Sequence, residues 1–145
     1  MTIGRLLFAS LLAGAALTAQ AAEDARTLVQ MPAEARAALR AEMLDFQTAL
    51  HLIVVNLSEG KFADAADTAE KQIGLSAMGR HRASPPKARP GMYMPDDMHQ
   101  IAVNMHAAAS DFARTARGGD LDKSLGALQA VTGACVGCHR AYRTQ

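Results

Sequence analysis

The stretch that decides the fold is Gly119-Asp120-Leu121-Asp122-Lys123 and its continuation through Cys135-Val136-Gly137-Cys138-His139-Arg140-Ala141-Tyr142-Arg143. Asp120 comes after the pair Gly118-Gly119 and suits a helix N-cap, because its carboxylate can accept from the unpaired backbone N–H groups of the first turn. From there Leu121, Leu125, Leu128, Val131, Cys135, Cys138 and Tyr142 recur at spacings of three and four. That period is one face of a helix.

The same period runs upstream. Met98, Ile101, Met105, Ala108 and Phe112 mark a helix that starts after Pro95, with Asp96 and Asp97 at its positive end, and stops at Gly118-Gly119. Before it lies a connection from Gly79 to Pro95 with four prolines in seventeen residues (Pro85, Pro86, Pro90 and Pro95), which no helix interior accommodates. A further helix is expected from Phe62 to about Met78, with Ala66, Ala69, Ile73 and Leu75 inward. The longest runs from Ala33 to Ser58, behind Pro32 and ahead of Gly60, on the stripe Leu39, Met43, Phe46, Leu50, Ile53 and Leu57. Four amphipathic helices, short links at two of three junctions and no internal repeat imply an all-α, antiparallel four-helix bundle.

Composition agrees. Half of the 145 residues are hydrophobic but only 4% are aromatic, and Trp is absent. Ala, Leu, Met, Glu and Lys lose little rotamer freedom in helices, and no run at strand spacing is found. A core so poor in aromatic rings and rich in Ala and Met gains from a large, flat, apolar cofactor.

The first 21 residues read as a signal peptide. Arg5 precedes the apolar run Leu6–Leu17, and Ala19-Gln20-Ala21 offers small residues to a peptidase. The run is too short for a bilayer, which takes ~20 residues. Cleavage is expected after Ala21, or after Ala22, leaving residues 22–145 as one domain. Fifteen basic residues less Arg5 leave 14 against 14 acidic ones. That balance gives no footprint for nucleic acid, and no second apolar run suggests membrane insertion. A soluble, periplasmic protein is expected.

Both cysteines lie in Cys135-Val136-Gly137-Cys138-His139, a C-x-x-C-H pattern. Thiols at i and i+3 of a helix can form thioethers with the two vinyl groups of one porphyrin. His139 lies one turn beyond Cys135 on the same side, so its imidazole can reach the iron. One covalently attached haem c is therefore expected, with His139 as a metal ligand. Three other readings use the same residues. A disulfide would close a very small loop and add little stability. A thioredoxin-like pair belongs at the start of a helix after a strand. A zinc site would need His51, His81, His99 or His106 as a fourth ligand.

With the motif at its C-terminus and Tyr142 and Arg143 just behind it, residues 119–143 resemble the C-terminal helix of cytochrome c′ proteins. The likeness extends in helix order and rough lengths over the mature chain. Ordinary small cytochromes c carry the motif near the N-terminus. The resemblance implies that His139 is the proximal ligand and that Arg143 lies beside the proximal haem pocket. Registering the apolar stripe of the first helix on the family puts Met43 at the distal position, where a thioether ligand raises the reduction potential. A shift of one residue puts Leu44 there. Met78, His81, Met92 and Met94 in the long connection, and His51 and His106 on helices, are further ligand candidates. Arg40 or Arg36 suits a haem propionate.

Function turns on the distal side. With Met43 on the iron, the haem is six-coordinate and low-spin, and the protein is an electron carrier. With an apolar distal residue, the iron is five-coordinate and high-spin, and binds nitric oxide or carbon monoxide. No nucleophile–base pair, acid pair or phosphate loop is evident, and a peroxidase would want a distal His or Arg, so no enzymatic activity is expected. Arg80, His81, Arg82, Lys87 and Arg89 would offer an acidic redox partner a basic patch. Leu52 and Val55, off the main stripe of the first helix, would suit a homodimer contact.

Overall fold

The computed structural model describes residues 23–145, so the expected leader lies outside the described residues. Four helices account for most of the described residues: α1 (Ala33–Ser58), α2 (Phe62–Gln72), α3 (Asp96–Ala116) and α4 (Leu121–Ala141). Each packs against the next in sequence, while α1 makes hardly any direct contact with α4. The bundle is therefore all-α and antiparallel, with one seam left open.

Local chemistry sets the ends. Helix α1 stops where Gly60 adopts φ 72° and Lys61 N–H donates to the Asn56 carbonyl at 2.8 Å, a left-handed closure that favours glycine. Helix α4 starts as expected: the Asp120 carboxylate accepts from Lys123 N–H at 3.0 Å. Inside, Phe46, Ile53 and Leu57 of α1 meet Ala66 and Ala69 of α2, Phe112 and Ala113 of α3, and Leu128 and Val131 of α4.

Four expectations need correction. Helix α2 ends at Gln72, not Met78. A Cβ on Gly74 would sit 2.8 Å from the Glu70 carbonyl oxygen, so the chain breaks there and makes only a 3-10 turn, Leu75–Ala77. Leu75 is consequently 47% exposed rather than inward. On α4 the buried line runs through Ser124, Leu128 and Val131, and Leu121 and Leu125 lie on its flank, each 44% exposed. Ser124 can be buried because its hydroxyl donates to the Asp120 carbonyl at 2.6 Å.

The fourth correction concerns strands, of which none was expected. The described residues contain two short ones, β1 (Thr27–Val29) and β2 (Tyr142–Thr144), paired in parallel with Thr27 opposite Tyr142 and Val29 opposite Thr144. Tyr142 therefore leaves α4 instead of ending it.

The long connection wraps α1 with two more 3-10 turns, Pro86–Ala88 and Pro90–Met92. Arg80 in that connection donates to the Gln72 carbonyl, pairs with Glu42 and Asp45 at 3.3 Å each and lies 5.3 Å over the Phe46 ring. Lys87 pairs with Glu34 at 2.7 Å. Much of the expected basic patch is thus matched by acids of α1. Among the described residues, no helix is long and apolar enough to cross a membrane.

Candidate functional site

The open seam between α1 and α4 contains a cavity of about 610 Å³, within the range of ligand and cofactor sites. Helix α4 gives it Cys135, Cys138 and His139. Helix α1 gives Leu39, Arg40, Met43 and Leu44, and α3 gives Met98, Ile101 and Met105. Arg26 closes the rim from just before β1, and Tyr142 and Arg143 from β2. Every residue singled out for the C-x-x-C-H site, namely Cys135, Cys138, His139, Met43, Arg40 and Arg143, therefore meets at one cavity.

The spacing explains this. Helical steps of three and four from Cys135 carry Cys138 and His139 to one side, and the end of α4 turns that side into the seam. Both thiols are free and half-buried. Burial pushes the Cys135 thiol up, and burial followed by the neighbouring Cys135 pushes up that of Cys138. Cys135 Sγ lies 4.0 Å from Met105 Sδ.

The other candidate ligands separate clearly. Met94 lines the cavity. Met78 and Met92 do not, and both are exposed. His81 faces Glu42 at 3.9 Å, and His106 Nδ1 contacts the Ile73 carbonyl. His51 and His99 are exposed and outside the lining, and half-buried Arg36 is outside it too. No group of three His, Cys, Asp or Glu able to hold a metal ion occurs among the described residues, so the fourth ligand that the zinc reading needs is not brought to Cys135, Cys138 and His139.

Charge at the rim completes the site. Arg40 donates to the Gln145 carbonyl at 2.7 Å. Arg26 grips Asp24 through Nε at 2.9 Å and Nη2 at 2.7 Å and reaches the His139 carbonyl with Nη1 at 3.3 Å. The Arg26 hydrogen bonds, side chain first, hold the Asp24 carboxyl down at about 2, with Arg143 adding to the effect. Arg143 Nε lies 3.4 Å from Asp24 Oδ2, yet it is buried and makes no hydrogen bond.

Apolar walls, two neutral thiols beside one imidazole, and three guanidiniums at the rim (one with an orphaned donor) fit a flat apolar group that carries carboxylates. The sequence model described as Cytochrome C′ matches residues 58–143, more than half of the chain. The chain belongs to the cytochrome c′ family. Cytochrome c′ proteins bind covalently attached haem c, and the cavity suits that cofactor. The matched segment contains Cys135, Cys138, His139 and Arg143, whereas Arg40 and Met43 precede it. No curated protein and no solved structure matches the chain significantly.

Asp24 and Arg26 escaped the sequence reading. They lie at the other end of the chain from the motif, and a strand of three residues has no period to detect. The methionines of α3 showed as a helical stripe, and nothing in their spacing marked them as cavity wall.

Proposed function

We propose that this cytochrome c′ is a periplasmic electron carrier. Cys135 and Cys138 bond one haem c, His139 is its proximal ligand, and Met43 supplies a thioether on the distal side. The observation that supports this most is that Met43, on α1, lines the same cavity as His139, on α4. Two strong-field ligands held by separate helices would keep the iron low-spin with little rearrangement between oxidation states. Arg40 and Arg143 serve the haem carboxylates and the proximal side respectively. Among the described residues His139 is the sole imidazole of the cavity lining, which fits a carrier better than a peroxidase.

A second reading is favoured by a different observation. Leu44 also lines the cavity, and Met43 packs against the cluster of Val29, Leu39 and Met98, as a wall residue would. In that case the iron is five-coordinate and binds nitric oxide or carbon monoxide. Of the two residues named for a contact with a second copy, Leu52 is exposed and Val55 half-buried, and exposed Val54 lies beside them. For an acidic redox partner, Arg82 and Arg89 are the cations of the long connection that α1 does not match with an acid.

The test is the optical spectrum of the exported, haem-loaded protein, oxidised and reduced, with and without carbon monoxide. A low-spin spectrum with a sulfur-to-iron charge-transfer band, unchanged by the gas, is expected. A high-spin spectrum that shifts on adding it would establish the gas-binding reading instead.

A further inference from the structure

The carbonyls in the last turn of a helix have no intrahelical partner. His139 sits in that turn, because α4 ends at Ala141. Its carbonyl is met by Arg26 Nη1, a cation at the negative end of the helix dipole. Arg26 is itself immobilised by the two-pronged bond to Asp24, and the same carboxylate pairs with Arg143. The backbone on both sides of this trio is tied by the parallel pairing of Thr27–Val29 with Tyr142–Thr144. A segment from the start of the folded domain thus grips the residue next to the second thiol and the two just past α4.

We propose that Asp24 and Arg26 are positioning residues for the haem iron's proximal ligand. Arg26 fixes the turn from which the His139 imidazole projects, and Asp24 holds Arg26 and Arg143 against that turn. The inference rests on His139 ligating the iron. Partners one shell out from a metal ligand tune both its orientation and the potential of the metal. Here they also bring charge: a fixed cation near the iron disfavours the ferric state, and a fixed anion favours it. Because the trio is partly exposed, its field is screened by salt.

The experiment compares the wild type with Arg26→Gln, Arg26→Lys and Asp24→Asn as full chains, exported and haem-loaded. Haem retained through a denaturing gel is read first. A wild type without it would sink the haem reading itself, and this inference with it. Reduction potentials are then measured at low and high ionic strength, with the g-values of the ferric protein as a report on ligand orientation. Arg26→Gln is expected to lower the potential and Asp24→Asn to raise it, both more strongly at low salt. Arg26→Lys should stay nearer the wild type in potential, and Arg26→Gln should shift the g-values. Potentials that stay at the wild-type value, or that move in the same direction in both charge variants, would overturn the proposal. Should Arg26→Gln yield no folded protein, Asp24→Asn decides alone, and an unchanged or lowered potential refutes it.

Discussion

At the scale of single residues the site divides into what chemistry forces to be close in sequence and what folding brings from afar. Two thioethers to one porphyrin and a ligand to its iron would leave little freedom in spacing, which is why Cys135, Cys138 and His139 could be proposed from the sequence, and the structure brings all three to one cavity. Replacing both cysteines, Cys135→Ala with Cys138→Ala, is expected to abolish haem that survives a denaturing gel, read by haem staining. Met43→Ala should turn the iron toward high spin and admit carbon monoxide, read from the visible spectrum. A spectrum that does not change would make Met43 a wall residue. Met43 could be proposed only by registering α1 on the family, because a Met on a helical stripe is ordinarily core filler. Asp24 and Arg26 were not legible at all: the bond from Arg26 to His139 spans 113 residues, and no local pattern announces it.

At the scale of elements, periodicity and caps performed unevenly, for physical reasons. Helix α1 carries large apolar residues at regular spacing, and its rough bounds, Ala33 and Ser58, agree with the structure. Helix α2 buries mostly alanines, which are at home in helices whether or not they face a core, so its end could not be read from its stripe. The true signal was Gly74, whose missing side chain allows the close approach of Glu70. Helix α4 was placed correctly at its start because Asp120 is a cap with a measurable partner. Asp120→Ala should cost about 1 kcal/mol of stability, seen as a lower midpoint in urea with an unchanged slope. Its inward face was misjudged because apolar Leu121 and Leu125 look like core residues, while Ser124, polar and buried, satisfies itself on the backbone.

At the scale of the whole molecule, the bundle is held shut on one side and kept open on the other. The closed side includes a polar tie between α2, the turn after it and α3. The Ser110 hydroxyl donates to Glu70 Oε2 and accepts from Leu75 N–H at 2.9 Å. The hydrogen bond from Ser110, ahead of those from Ser76, lowers the Glu70 carboxyl below its ordinary value. A group whose folded value lies below its unfolded one stabilises the fold above the unfolded value, near about 4.3, and loses that contribution as pH falls through the folded value. Ser110→Ala is therefore expected to be less stable than the wild type near neutrality. The gap should narrow as pH drops below about 4.3, in urea melts run across that range. It should not close fully, because the Leu75 N–H loses its acceptor at every pH.

The open side is sealed by β1 and β2, and that seal has a consequence for how the protein comes to exist. Its strands sit at the two extremities of the folded domain, and pairing them means closing the longest loop the chain contains. Contacts of such high sequence separation are costly to make early and tend to form late in folding. While the clasp is still undone, the thiols face an unfinished seam and stand accessible. The strand pair thus completes the seam beside Cys135 and Cys138 only after the helices around it have packed.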